Sequence, residues 1–219
     1  FIIIFNIKIM KFRFYALKLC LFIIIIFIIQ VLVNGFTDVF ILNENSYFQT
    51  WRFLTAVFLH GSLGHLLYNL FALALFGSIL EKIVGGSKFL LIFLISGIAS
   101  NLISINFYPL SLGASGAIFG VLGALILIRP MMIVWAFSLP MPIFLAGILW
   151  GIGDLVGAYG FITGNPIDNT GNIAHLSGMF FGIVIGLLIR KKYFKRRGKK
   201  IISYINENYM RDWEAKHLR

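Results

Sequence analysis

The sequence predicts an all-α membrane protein: a six-transmembrane-helix bundle with a short fourth helix and a long first outer loop. Of its 219 residues, 59% are hydrophobic and only 12% are charged, which excludes an ordinary soluble domain. The apolar residues fall into separate segments, most of them near the roughly 20 residues that a membrane helix needs. The basic residues collect near the two ends of the chain, as they do beside membrane spans.

The predicted spans are continuous apolar segments. They are 14–33, 62–83, 87–106, 115–129, 141–160 and 171–190. The first resembles a signal peptide, but it is long enough to span and no small-residue cleavage site follows it, so we expect an uncleaved helix. The fourth is too short to reach both membrane surfaces, and the long loop covers residues 34–60. We expect residues 1–190 to form one domain and residues 191–219 a basic tail.

The net charge of +11 predicts an orientation rather than a nucleic-acid partner. Eleven of the nineteen Lys and Arg residues lie in residues 190–219, and three precede the first span, with Lys18 near its start. Both ends are therefore expected in the cytoplasm, with contact to anionic lipids, and an even number of spans satisfies this. We expect a multi-pass protein of the cell membrane.

The basic tail also contains apolar residues close to helical spacing. They are Ile201, Ile202, Ile205, Tyr209 and Trp213. This spacing favours an amphipathic helix on the cytoplasmic membrane surface. A disordered basic tail fits the composition equally well.

Strongly polar residues are costly inside a bilayer and are often functional there. His65 and Asn69 are four residues apart near the start of the second span, on one helical face. Ser115 begins the fourth span, and His175 lies near the start of the sixth. Because the even-numbered spans all run from outside to inside, the four side chains should share one depth beneath the outer surface. Packing explains each of them singly but not their common depth.

Hydrolysis by an activated serine is the chemistry that these groups suggest. A serine hydroxyl needs a neighbouring base, and histidine is the usual one. At the start of a helix, the Ser115 backbone N–H can bind an oxyanion, and His65 and Asn69 can add side-chain donors. Gly113 and Gly116 allow a close approach of backbone to a substrate or a neighbouring helix.

No third acid is evident, because Asp154 lies within the fifth span and Asp168 lies in an outer loop. The sequence therefore favours a Ser–His dyad over a triad. Metal binding is the other use for several histidines, but His60 and His65 are five residues apart, which is a poor helical alignment. We expect no metal and no cofactor.

Several motifs follow one another between about residues 50 and 190. They are Trp51-Arg52 with Thr55, Phe58, Leu59 and His60; His65-x-x-x-Asn69; Gly77, Leu80, Glu81 and Gly85; Gly113-x-Ser115-Gly116; and Ala174-His175-x-x-Gly178-x-x-x-Gly182. In this order and at this spacing they resemble the rhomboid family of intramembrane serine proteases.

The resemblance implies a role for each site residue. Ser115 would be the nucleophile and His175 the general base and later the general acid. His65, Asn69 and the Ser115 backbone amide would form the oxyanion hole. Phe119 takes a position where the family often has a tyrosine stacked on the catalytic histidine, so it would orient the ring without a hydrogen bond.

Two further glycines, Gly178 and Gly182, belong to a small-residue ridge that would bring the fourth and sixth spans together. The resemblance implies that the substrates are transmembrane helices of other membrane proteins, entering between the second and fifth spans. The alternative is a catalytically silent rhomboid-like protein that binds membrane helices. Such relatives characteristically lack the serine or the histidine, and both are present here.

Overall fold

The computed structural model describes residues 13–167, 170–194 and 207–217, and most of them are helical. The predicted all-α membrane class is therefore confirmed. The α-helices are α1 Tyr15–Leu32, α2 Phe36–Phe40, α3 Arg52–Thr55, α4 Leu63–Ala72, α5 Ser78–Val84, α6 Gly86–Ser104, α7 Ser115–Ile128, α8 Ile143–Ile162, α9 Asn172–Phe194 and α10 Glu207–His217. A π-helical turn, Leu73–Gly77, joins α4 to α5.

Five helical segments are long and apolar enough to cross a membrane. They are Tyr15–Leu32, Leu63–Val84, Gly86–Ser104, Ile143–Ile162 and Asn172–Arg190. The helix α7 is also apolar but has only 14 residues. At 1.5 Å per residue it is about 21 Å long, which is less than the hydrocarbon thickness of about 30 Å. It therefore cannot reach both surfaces of a bilayer.

The short helix α7 lies at the centre of the bundle, and ten of its fourteen residues are buried. Its most extensive contact is with α9. A Cβ atom added at Gly178 would collide with the carbonyl group of Gly116, and one added at Gly182 with that of Gly120. The two helix backbones are thus in direct contact, which only glycine allows.

The long loop between α1 and α4 is held by hydrogen bonds to its own backbone. Arg52 is buried, and its Nη1 donates to the carbonyl oxygens of Asp38 and Ile41, each at 2.7 Å. Further along this loop, Leu42 exchanges two backbone hydrogen bonds with Ser111, which precedes α7. The loop therefore supports the segment that leads into α7.

The start of α1 is capped by Glu81, which is 2% exposed. The two Glu81 carboxylate oxygens accept hydrogen bonds from the backbone N–H groups of Arg13, at 3.2 Å, and Ala16, at 3.1 Å. The first N–H groups of a helix have no acceptor within it, and a carboxylate there also interacts favourably with the helix dipole. Glu81 is therefore a structural carboxylate at the end of the bundle where α1 begins. The opposite end, where α4, α7 and α9 begin, is called the site end below.

The connection between α7 and α8 contains an antiparallel hairpin that the sequence analysis did not predict. Strand β1 is Ile133–Ala136 and strand β2 is Leu139–Pro142. Its turn residues, Phe137 and Ser138, both have positive φ angles. Turns of this kind usually carry Asn or Gly, so Phe-Ser gives no hairpin signal in the sequence.

Of the basic tail, the structure describes only the end of α9 and α10. Trp213 in α10 is exposed, and its ring stacks on His217 with centroids 5.0 Å apart. Three apolar residues on which the amphipathic prediction depends, Ile201, Ile202 and Ile205, lie outside the described residues. The surface helix stays a prediction.

Candidate active site

Ser115 is the first residue of α7, directly after the N-cap residue Ala114. The first hydrogen bond of the helix runs from the Ile118 N–H to the Ala114 carbonyl oxygen, at 3.0 Å. The N–H groups of Ser115 and Gly116 therefore precede the first residue that has an acceptor within the helix. Together with the positive end of the helix dipole, they favour an anion beside Ser115.

Gly113 brings the His65 ring close to this helix start. Its φ of 129° favours glycine, and its N–H donates to the Ala56 carbonyl oxygen at 2.9 Å. A Cβ atom at Gly113 would lie 2.7 Å from the Cε1 atom of His65 and 2.9 Å from its Nε2 atom. The His65 ring thus packs on the backbone two residues before Ser115, in space that any side chain would fill.

Asn69 lies one turn after His65 on the same face of α4 and is 6% exposed. Its Nδ2 atom is 3.9 Å from the Cβ position of Gly113. Among the described residues, this buried amide nitrogen has no hydrogen-bond partner. Because buried donors are nearly always paired, Asn69 has hydrogen-bonding capacity to offer a ligand oxygen beside Gly113.

His175 lies in the first turn of α9 and packs against α7. Its ring stacks on Phe119 with centroids 4.2 Å apart and an angle of 8° between the rings. Phe119 is four residues after Ser115 and so lies one turn below it on the same helical face. The imidazole therefore lies on the face of α7 that carries Ser115.

Hydrogen bonds hold the first turn of α9 in place. Ser100 on α6 donates its hydroxyl to the Ala174 carbonyl oxygen at 2.7 Å, and the Ile173 N–H donates to the Tyr108 hydroxyl at 3.2 Å. Ser177 donates to the Ile173 carbonyl oxygen at 2.7 Å. Ser100 is not among the residues predicted from the sequence, although a hydroxyl within an apolar span is a signal that could have singled it out.

The expectation that no acid lies near the site was wrong for Asp154. Its Oδ1 atom is 3.0 Å from the Nδ1 atom of His175. The position of Asp154 within the fifth span did not show which neighbouring helix its side chain meets. A Cβ atom at Gly157 would collide with the side chain of Asn172, so α9 begins beside Gly157, five residues before α8 ends at Ile162. Asp168, the other acid considered, lies outside the described residues.

His60 packs behind His65, with ring centroids 5.0 Å apart in an edge-to-face arrangement. The backbone of His60 is held by Gln30 on α1, whose Oε1 accepts from the His60 N–H at 3.0 Å and whose Nε2 donates to its carbonyl oxygen at 3.3 Å. Burial, and then the neighbouring His65, lower the pKa of His60 to about 4. At physiological pH the His60 side chain is therefore uncharged, and its ring packs against the ring of His65.

Metal ligation is not suggested by this arrangement. Within residues 13–167, 170–194 and 207–217, no three His, Cys, Asp or Glu side chains come together as a metal site. The carboxylate and the three imidazoles around Ser115 are instead arranged in pairs. His175 meets Asp154, and His65 meets His60.

Comparison with known proteins identifies the family of the chain. The family model of the rhomboid domain, which describes the family's sequences, matches residues 47–192, more than half of the chain. Rhomboid protease GluP of Bacillus subtilis is 38% identical over 159 residues, which are 71% of this chain and 29% of that protein. RHOMBOID-like protein 7 of Arabidopsis thaliana is 33% identical over 149 residues, 64% of this chain and 43% of that protein.

A mitochondrial relative, Rhomboid protein 1 of Saccharomyces cerevisiae, is 32% identical over 159 residues, 67% of this chain and 44% of that protein. The chain therefore spans less than half the length of each of these three relatives. The matched region contains every motif on which the resemblance was based. Since the family model covers the membrane bundle from the first loop to the end of the last span, the chain is an integral membrane protein that belongs to the rhomboid family.

Proposed function

We propose that the protein is an intramembrane serine endopeptidase that cuts transmembrane helices of other membrane proteins. Ser115 is the nucleophile, and His175 is the base that activates it. One observation carries the proposal: the His175 ring stacks on Phe119, one helical turn from Ser115, while the donors of His65 and Asn69 lie at Gly113, two residues before Ser115. A base and an oxyanion site on one serine are the requirements of acyl transfer.

In the first step, the Ser115 hydroxyl attacks the carbonyl carbon of the scissile peptide bond. Its proton passes to the Nε2 atom of His175, because the Nδ1 atom faces Asp154. The negative charge that develops on the carbonyl oxygen is stabilised by the Ser115 N–H, the Asn69 amide and the His65 ring. The tetrahedral intermediate collapses when His175 gives its proton to the leaving amine.

In the second step, water attacks the acyl-enzyme, with His175 again acting as the base. This step returns the proton to Ser115 and releases the new carboxyl group. It needs water at the depth of Ser115. The partial exposure of Ser115 and His175 supports such access.

Substrate entry is proposed between α4 and α8. Phe76, in the π-helical turn that follows α4, contacts Trp150 of α8 edge to face, with centroids 6.0 Å apart, while Tyr68 and Phe71 of α4 are exposed nearer the site end. A substrate helix must unwind locally to present a carbonyl carbon, which favours small or helix-breaking residues at the cleavage point. With both termini in the cytoplasm, the site faces the outer side of the cell membrane.

The test is cleavage of a tethered single-span protein by the purified full chain in liposomes. Ser115→Ala should reduce cleavage by about 10⁴-fold or more, because it removes the nucleophile. Ser111→Ala is the matched control, since Ser111 bonds to Leu42 through its backbone, and it should cleave like the wild type. The thermal midpoints of all three proteins establish that each is folded.

Undiminished cleavage by Ser115→Ala would refute the proposal. A fluorophosphonate probe gives a second readout, because it labels only an activated serine. Labelling of the wild type and Ser111→Ala, but not of Ser115→Ala, is the expected pattern. A folded wild type that neither cleaves nor labels would favour the alternative, a silent protein that binds membrane helices.

A further inference from the structure

Asp154 is a carboxylate in the middle of an apolar membrane helix, where an ionisable group needs a specific partner. It is 7% exposed, and its Oδ1 atom lies 3.0 Å from the Nδ1 atom of His175. The Phe119 ring covers one face of the same imidazole. His175 is thus held both in the plane of its ring and against its face.

Glu81 shows what a purely structural buried carboxylate looks like in this protein. Both of its oxygens accept backbone N–H groups, and the result is a capped helix. Asp154 differs, because its Oδ2 atom is buried with no hydrogen-bond partner among the described residues. Its one directed interaction there is with the ring that the mechanism uses. A structural role leaves this half-satisfied carboxylate unexplained, since an apolar residue would cost less.

The position of Asp154 is set by the packing of α8 on α9. One turn further along α8, Gly157 lies directly against Asn172 at the start of α9. In antiparallel helices, a contact between residues 157 and 172 places residue 154 opposite residue 175. The contact of Asp154 with His175 therefore follows from the backbone register of the two helices.

From this geometry we infer that Asp154 is a positioning residue for His175. Ser115, His175 and Asp154 then form a hydrogen-bonded triad, called the relay below, in which Asp154 orients the imidazole. The inference rests on the proposed function of Ser115 and His175. Asp154 accepts the Nδ1–H of His175, which fixes the tautomer whose Nε2 lone pair faces Ser115. When Nε2 takes the Ser115 proton, the carboxylate stabilises the imidazolium and itself stays unprotonated.

The kinetic test compares two buried carboxylates in the full-length protein. Asp154→Asn should lower kcat by at least about 10-fold, towards the loss of about 10⁴ seen when a triad aspartate is replaced, with KM changed less than about twofold. Glu81→Gln is the matched control. It should lower the thermal midpoint but leave the kcat of the folded protein within about twofold of the wild type.

A kcat for folded Asp154→Asn equal to that of Glu81→Gln would overturn the inference. If both carboxylate variants matched an active wild type while Ser115→Ala did not, only the relay would be refuted. If Ser115→Ala also cleaved like the wild type, the proposed function itself would be refuted. The two failures are thereby distinguishable.

A spectroscopic test needs no change at Asp154. In the Ser115→Ala protein labelled with ¹⁵N-histidine, the relay predicts a protonated Nδ1 atom on His175, with its proton resonance far downfield. His175→Gln in the same background assigns the signal by its disappearance. A neutral His175 that carries its proton on Nε2 would overturn the inference even if Asp154→Asn failed to fold.

Discussion

The contact between α7 and α9 differs from the outward faces of the two helices that flank the site, α4 and α8. Along α7 and α9, glycines bring backbone against backbone, at Gly116 with Gly178 and at Gly120 with Gly182. On the outward face of α8, a Cβ built at Gly151 meets nothing in the described chain within 4 Å apart from the helix's own backbone, whereas Gly147 and Gly157 of the same helix lie against Ile126 and Asn172.

This difference separates two tasks. The tightly packed pair carries Ser115 and His175, the proposed nucleophile and base, and the backbone contact fixes their relative position. The flanking helices expose large apolar side chains and add polar groups to the proposed site, His65 and Asn69 from α4 and Asp154 from α8. In the proposed mechanism, precise geometry and access for a substrate are therefore supplied by different helices.

Replacing Gly182 with Val tests the tight contact and should have the largest effect. The added side chain would meet the Gly120 backbone, which cannot move aside as a flexible side chain can, so we expect loss of folded protein. Yield of monodisperse protein and thermal midpoint measure this. Gly151→Val makes the same change on α8 and is the control. Equal thermal midpoints for the two variants would contradict the difference in packing between Gly182 and Gly151.

Asn69→Ala tests whether a flanking helix contributes catalysis rather than stability. Loss of an oxyanion donor should lower kcat by about 10²–10³ with little change in KM. Asn101→Ala is the matched control, because this buried amide donates to the Phe53 carbonyl oxygen at 2.8 Å, away from the site. Asn101→Ala should lower the thermal midpoint and leave kcat unchanged. An unchanged kcat for Asn69→Ala together with a lowered kcat for Asn101→Ala would place the oxyanion site elsewhere.

His60→Phe tests the packing of the buried His60 ring against His65 of the flanking helix α4. In the wild type, the pKa of His60 is about 4 when folded and about 6.5 when unfolded. As the pH falls from about 6.5 to about 4, the unfolded chain binds a proton that the folded chain does not, so the free energy of unfolding falls by up to about 3 kcal/mol. Above this range the group has no effect.

A phenylalanine ring at position 60 would keep the contact with His65 but cannot titrate, so His60→Phe should lose less stability than the wild type between these pH values. Denaturant unfolding in detergent at several pH values measures the difference. His217→Phe, in the exposed helix α10, is the control and should follow the wild type. Parallel pH curves for all three proteins would contradict the buried, neutral His60.

Gly151→Ala should have the smallest effect. A methyl group meets no neighbour there, and alanine is favoured over glycine within a helix by up to about 1 kcal/mol. We expect a thermal midpoint equal to or slightly above that of the wild type. A clear decrease in the midpoint would show that α8 is packed at Gly151 as closely as α9 is at Gly182.

Helix directions and hydropathy were enough to predict that polar groups from three spans share one depth. That reasoning needs only the start of each span, and the sequence marks those starts clearly at His65, Ser115 and His175. The pairing of Asp154 with His175 could not be predicted in this way, because hydropathy gives the depth of a residue but not which helices pack together. The close approach of Asn172 to Gly157 depends on backbone packing between helices, which hydropathy does not encode.

The hairpin after α7 and the Ser100 contact were missed for different reasons. The turn at Phe137 and Ser138 adopts positive φ without the residues that usually signal it. Ser100 looks like any small residue in an apolar span until its acceptor, the Ala174 carbonyl oxygen, is known. In both places, tertiary contacts decide what local sequence leaves open.

The approach of Gly157 to Asn172 makes the position of His175 independent of the length of the connection between α8 and α9. The contact lies within the helices, five residues before α8 ends at Ile162 and at the first residue of α9. Surface connections vary readily between related proteins. Insertions or deletions in this connection would therefore change the surface above the proposed site, and with it the proposed choice of substrate, while His175 keeps its position against Asp154.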